Sequence, residues 1–389
     1  MRPDSHDTET ALPLAGIRVA DFSRLLPGPW CTQTLADLGA EVIKVEHPDG
    51  DPSRKNMPHY RDESVYFHGV NSGKRSLVLN LADKQDIERA HSLIRGADVL
   101  IESFGRGGAK KLHVDWDVAK VLNPKLVYCS ITGFGNSGVL APIAGHDLAI
   151  QAATGLLSLT KDPMPAFQAA DYAAASMAVI GILAALRRRD QHGVGSYLDL
   201  AMFDALFGMG NICLTSAVAR KAGATGEPAM EVWGGNPRYT TYQTRDGKRV
   251  AICLLEAKVW LRFCEAIGRR DLVFADERSS DRLSSHGDRS ELYRKALSEY
   301  CAAHDRDHIG AQMAALGLPV IPVLTPDEAL SSDHVLSRGL VQAQNHPTEG
   351  KVFTIRNGLL DSGLVRRYRA PAPSLGDASW NADEQRCVG

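Results

Sequence analysis

Cysteine is scarce and unpaired in this sequence. Its seven residues stand at 31, 129, 213, 253, 264, 301 and 387, an odd number with no C-x-x-C pair. That pattern argues against a disulfide framework and against a cysteine-based zinc site, and it fits free thiols in a reducing cytosol, the expected location. Charge of one sign is also missing: 44 Lys+Arg against 46 Asp+Glu give a net charge of −2. The basic excess of a nucleic-acid binder is therefore absent. The longest apolar runs, such as residues 176–186, are too short to span a bilayer, so no membrane partner is expected. The opening residues 1–10 are polar and acidic, unlike a signal or transit peptide.

Several chemical signatures are missing too. There is no H-E-x-x-H, and no catalytic metal is expected. There is no G-x-S-x-G elbow, which argues against an α/β-hydrolase. Residues 68–76 look like a phosphate loop but fail its pattern: only three residues separate Gly69 from Gly73, and Arg75 stands where a magnesium-binding hydroxyl is required. Residues 134–138 lack the full dinucleotide fingerprint.

What is present is an ordinary globular chain of 389 residues, 44% hydrophobic and 23% charged. That length predicts two to three domains. Over the first 140 residues, strand-like segments (17–22, 41–46, 76–81, 98–103 and 125–131) alternate with helical ones. Residues 41–46 alternate polar and apolar side chains, the strand period. The repetition predicts a parallel sheet with helices on both faces, and ligands at the carboxyl ends of its strands. Residues 147–219 read as mostly helical, with the longest helix over 171–189, ended by Gly193. A short strand is read at 197–199, and residues 222–228 read as a linker. A different unit follows: a hairpin over 238–254, helices near 257–267, 290–303 and 307–315, and a strand at 319–324. The polar stretch 276–288 reads as a surface loop. The fold class is thus α/β, with a parallel-sheet unit over 1–225 followed by a smaller α+β unit over 226–334; the resemblance described below implies that the first is a Rossmann-like large domain completed by residues 335–389.

Three segments carry the chemistry. The first runs from Leu14 to Phe22, continues through Pro27-Gly28-Pro29, and reaches Glu46 by way of Leu35-Ala36-Asp37-Leu38-Gly39. The second is Asn71-Ser72-Gly73-Lys74-Arg75-Ser76-Leu77. The third is Ala169-Ala170-Asp171, leading a helix that includes Gly181-Ile182-Leu183-Ala184-Ala185-Leu186. In this order they resemble the class III (CaiB/BaiF-type) coenzyme A transferases, a family that includes the α-methylacyl-CoA racemases. The resemblance runs from about Ala15 to about Gly339. It implies a Rossmann-like large domain built from both chain ends, a small domain, two interlocked subunits forming a homodimer, and an active site between them. It also implies an acyl-CoA and a small carboxylic acid as substrates, with no tightly bound cofactor.

Read from its neighbours, Asp171 sits at or near a helix N-cap, and a capping aspartate there is worth ~1 kcal/mol. The helix dipole and backbone N–H groups would keep it ionised. Its small neighbours leave room for a thioester, and an open carboxylate is a usable nucleophile. In the family the aspartate attacks the acyl-CoA and becomes an aspartyl-CoA thioester. The racemases instead use a pair of bases. His146, in Gly145-His146-Asp147, matches their histidine, Glu256 their orienting glutamate, and Asp171 their second base. The run of alanines after Asp171 and the short connection from His146 favour the transferase, with the racemase as the alternative. Cations for the CoA phosphates are Arg24, Lys74, Arg75, Arg106 and Lys111, with Lys110 beside them. His47 stands where the family usually has an arginine near the adenine, and Lys111 where arginine is common. Leu26 replaces a polar residue that contacts substrate in formyl-CoA transferase, which argues against an oxalate-type substrate.

Overall fold

The apolar runs of the first half line up side by side in one sheet. The computed structural model describes residues 12–160, 164–224, 234–278, 281–282, 284–359, 362–366, 368–381 and 386–388. Six strands, β1 (Arg18–Phe22), β2 (Glu41–Glu46), β3 (Arg75–Val78), β4 (Val99–Glu102), β5 (Val127–Thr132) and β6 (Ser196–Ala201), form a sheet in the order β3-β2-β1-β4-β5-β6. Every pairing is parallel. The helices between them are α1 (Pro27–Asp37), α2 (Val65–Asn71), α3 (Lys84–Gly96), α4 (Gly108–Lys111), α5 (Trp116–Leu122), α6 (Asp147–Ala153) and α7 (Ala169–His192), with α8 (Met202–Met209) after β6.

Both faces of the sheet are covered, as a parallel sheet requires. Val19, Val42, Val99, Ile101 and Val127 pack on one side with Leu35 of α1 and the alanines of α7. Ala20, Ile43, Leu100 and Tyr128 point the other way, onto Ala90 and Ile94 of α3 and Ala119 of α5. Each such aliphatic side chain, once fully buried, contributes about 1.5–3 kcal/mol. α7 has the length and apolarity of a membrane-crossing helix, and Ala170, Ala174, Ala178 and Ile182 on it belong to this core. α1 begins at Pro27. Proline suits a first helical position because its missing N–H would have no partner there.

β2 departs from its sequence pattern for a physical reason. Its polar–apolar alternation reads as a strand with one wet face, yet everything after Glu41 is buried. The polar face is closed by a charge network, described below, rather than by water.

This first unit comprises residues 12–211 together with the chain from 336 onward. The returning segment makes the hairpin β10 (Val341–His346) and β11 (Gly350–Ile355) and docks on α1. There Arg369 pairs with the buried Asp37 at 2.5 Å.

The second unit spans Ile212–Val335. It begins with α9 (Thr215–Lys221) and holds an antiparallel sheet of β7 (Tyr239–Gln243), β8 (Arg249–Cys253) and β9 (Val320–Pro322). Helices α10 (Ala257–Ala266), α11 (Arg289–Ala303) and α12 (Arg306–Ala315) accompany it. Trp260, Phe263, Tyr293, Leu297 and Met313 form its own core. Residues 225–228 of the expected linker, and 279, 280 and 283 of the expected loop, lie outside the described residues.

Candidate functional site

In the strand order, the chain steps outward from β1 to β3 and then crosses back to β4, so the switch point lies between β1 and β4. Open α/β sheets bind ligands outside the carboxyl ends of the strands at such a point. A cavity of about 580 Å³ opens there. Its apolar walls include Phe22, Val45, Leu79, Phe104 and Leu112, and Arg24, His47 and Lys111 also line it. The Arg24 guanidinium lies 5.5 Å from the centre of the Phe104 ring, and the Arg24 backbone N–H donates to Ser103 Oγ at 2.9 Å. His47 Nδ1 lies 3.3 Å from Asp49. Lys111 ends α4 and is exposed. Arg106 and Lys110 are exposed on the same β4–α4 connection, outside the cavity lining. Leu25 takes a left-handed φ of 65° at the tip of β1, a conformation costly for a branched residue. Its N–H is held by both carboxylate oxygens of Asp51, at 3.3 Å.

Two of the expected phosphate cations are placed elsewhere. Lys74 is buried, and its Nζ donates to Asp21 Oδ2 (3.0 Å), the Pro29 carbonyl (2.9 Å) and Asn71 Oδ1 (2.7 Å). All three of its N–H groups are thus used inside the protein, and none is left for a phosphate. Arg75 opens β3, so it lies at the amino end of the sheet, away from the cavity, where it pairs with Glu41. Its position just before a strand, which attracted the expectation, is what places it at the wrong edge.

Lys74 belongs to the network that closes the polar face of β2. Lys44, fully buried, meets Asp51 at 2.8 Å and donates to the Ser23 carbonyl at 3.0 Å. Glu46 holds Arg54 at 2.8 Å and accepts from Ser76 Oγ at 2.6 Å. Asp21 accepts from Thr32 at 2.6 Å and from Ser23. Burial alone would raise the Asp21 carboxyl, but Lys74 and Lys44 outweigh it and bring it down to about 2. The network fixes the cavity floor, to which Lys44, Glu46 and Asp51 contribute.

Asp171 stands on α7. It is the third residue of α7, not its cap; the N-cap is Gln168, which makes no side-chain capping bond. The capping comes from outside the helix. Asp147, the first residue of α6, accepts the Ala170 N–H at 2.8 Å and the Gln151 side-chain amide at 2.8 Å. Gln151 also donates to the Phe167 carbonyl at 3.2 Å. The loop before α6 is pinned by a close backbone approach: a Cβ on Gly133 would stand 3.2 Å from the Gly145 backbone. Tyr66 of α2 and Tyr172 flank Asp171, and Trp30 of α1 meets Tyr172 edge-on at 5.7 Å.

The surroundings of Asp171 work against its expected ionisation. Burial first, and then the Asp147 carboxylate, push it up to about 7 from an ordinary 3.8, against a weaker lowering by its own backbone N–H. A helix dipole keeps an exposed first-turn acid ionised. Here desolvation and a like charge win.

His146 is exposed and is the N-cap residue of α6 without a side-chain capping bond. Glu256 belongs to the second unit, where it heads α10 and meets Arg282 at 3.2 Å. Among the described residues one cluster has metal-ligand types, Glu63, His68 and His346. His346 is spent, however: its Nε2 faces the Ala372 carbonyl at 3.0 Å, and its Nδ1 accepts the Glu349 N–H at 3.2 Å. Two remaining ligands do not make a site. Asp147 and Tyr66 are the residues that sequence reasoning missed. Asp147 carried a signal, since it completes the Gly145-His146-Asp147 triplet; Tyr66 carried none.

Comparison with known proteins gives the family. The model of CoA-transferase family III matches residues 14–379. A succinate–glutarate CoA-transferase of Agrobacterium fabrum is 32% identical over 386 residues, covering 94% of this chain and 93% of the relative. An acetyl-CoA:oxalate CoA-transferase of Acetobacter aceti is 32% identical, covering 85% of each. The crystal structure of a CaiB/BaiF family protein from Brucella suis superposes with a TM-score of 0.79 at 30% identity, covering 94% of this chain and 97% of that one. Relatives named as CoA-transferases do not favour the racemase alternative. The chain is a transferase enzyme and belongs to CoA-transferase family III.

Proposed function

We propose that this enzyme moves coenzyme A from an acyl-CoA to a small carboxylic acid through a thioester on Asp171. The ionised Asp171 attacks the acyl-CoA carbonyl and expels the CoA thiolate, leaving a mixed anhydride. The thiolate attacks the aspartyl carbonyl, which releases the donor acid as its carboxylate and forms the aspartyl-CoA thioester. The acceptor carboxylate then attacks that thioester and frees the thiolate again. Attack of the thiolate on the acceptor's acyl carbon yields the new acyl-CoA and restores Asp171. Such covalent catalysis splits one difficult exchange into easier steps.

The observation that carries this reading is the relief of Asp171 from structural duty. Asp147 takes the capping role, and no cation among the described residues pairs with Asp171. The nucleotide end of CoA is assigned to the cavity at the strand ends, its base against Phe104 and Leu79 and its phosphates toward Arg24 and Lys111. The relatives are named for succinate, glutarate and oxalate, which supports a small acid as acceptor. A second copy of the chain fits the apolar side chains left exposed on α7 and α8, among them Ile180 (57%) and Phe207 (48%).

The test is a trap. Incubation with acyl-CoA followed by hydroxylamine or borohydride should modify the peptide carrying Asp171, and Asp171→Asn should show neither adduct nor exchange. Full-rate CoA exchange by Asp171→Asn would overturn the proposal. Exchange of the α-proton in D₂O without an acceptor acid would point to the racemase.

A further inference from the structure

Helix α7 needs a cap, and its own N-cap residue does not provide one: Gln168 makes no capping bond. An uncapped helix end leaves N–H groups without partners, and an acid in the first turn ordinarily turns back to fill that need. Asp171 is such an acid. The Ala170 N–H beside it is already taken by Asp147, which is 9% exposed and held from behind by Gln151. Gln151 in turn grips the Phe167 carbonyl, so one pair of side chains fixes the entry to α7 on both sides of Gln168.

We propose that Asp147 is a positioning residue for Asp171: it caps α7 in Asp171's place, leaving that carboxyl free for acyl transfer, and it sets a second negative charge beside it. The inference rests on the reading of Asp171 as the nucleophile. The titratable groups facing Asp171 are Asp147 from α6, Tyr66 from α2 and Tyr172 from α7 itself. No group on α1, β5, β6 or α8 adds to them among the described residues. Asp147 is thus the single acidic neighbour whose removal changes the charge at the nucleophile. A more basic carboxylate is a stronger nucleophile once ionised, and it is relieved of charge repulsion when it becomes an ester or anhydride.

The experiment uses the full-length protein and the variants Asp147→Asn and Asp147→Ala. Asparagine keeps an oxygen for the Ala170 N–H and removes the charge; alanine removes both. The first readout is the pH profile of kcat/KM. Its acidic limb should move down by about one pH unit in both variants, with kcat at pH 8 within about threefold for asparagine and lowered at least tenfold for alanine. The second readout is carbodiimide labelling of Asp171 against pH, followed by peptide mass, because carbodiimides take the protonated carboxyl. Its midpoint should fall by the same amount. Labelling needs no turnover, so it judges the inference even if Asp171→Asn retained transfer and the proposed function failed. A labelling midpoint unmoved in Asp147→Asn would overturn the inference, since a purely structural cap would lower stability without touching that midpoint. If the alanine variant does not fold, the asparagine variant decides alone.

Discussion

Replacing Asp171 by asparagine is expected to abolish transfer and to stabilise the fold at neutral and alkaline pH. The Asp171 carboxyl is raised from 3.8 to about 7 in the folded protein. A group raised on folding binds its proton more tightly in the native state. Its contribution to stability is therefore complete below pH about 4 and is lost as pH climbs through about 7. The difference of about three pH units, at about 1.36 kcal/mol each, amounts to about 4 kcal/mol by pH 8. That is an upper value, because Asp171 is only half-buried and solvent screens such groups. Asparagine has the shape of the protonated acid and never ionises, so it escapes the penalty. The variant should gain up to about 4 kcal/mol over the wild type at pH 8 and about 0.5 kcal/mol at pH 4. Urea unfolding followed by tryptophan fluorescence, run side by side at both pH values, measures the gain. A variant no more stable than the wild type at pH 8, or one with the same advantage at both pH values, would refute the reasoning. Either result would mean that burial and Asp147 do not hold the proton on Asp171.

The remaining predictions concern the cations and the turn beneath them. Lys74→Ala should destabilise the protein by about 3–5 kcal/mol by stranding the buried Asp21, whereas Arg75→Ala should leave KM for acyl-CoA unchanged; urea midpoints and steady-state kinetics check the pair. Arg24→Ala and Lys111→Ala should each raise KM for acyl-CoA about tenfold with kcat nearly constant, the pattern of lost uniform binding; an unchanged KM in both would remove the cavity from the CoA assignment. Gly28→Ala would place a Cβ 2.1 Å from the Ser23 Cβ, forcing apart the turn that follows β1, and should cost about 1–3 kcal/mol in thermal or urea unfolding.

Much of the scaffold was legible because its signals are local. The runs at 17–22 and 41–46 correspond to β1 and β2, and the hairpin read over 238–254 is β7 and β8, since apolar periodicity and turn residues act over a few positions. The three motif segments fixed the family for the same reason: each is a short string. What failed to be legible was the partner of each charge. Lys74 and Lys111 look alike in sequence, each a lysine beside a second basic residue. One is spent on Asp21, far away in the chain, and the other lines an open cavity.

The same division explains Asp171. Its place in the first turn of a helix, among alanines, followed from the sequence. Its state did not. Protonation depends on how much water the fold removes and on which charges it brings near, and here the decisive one, Asp147, comes from a different helix. Sequence set the order of strands and helices and which residue types stand at their ends, because backbone preference and side-chain period are short-range. Tertiary structure alone decided which charges are neutralised, which are left free and which are crowded together, because Coulomb forces and desolvation depend on distance in space, to which distance along the chain is no guide.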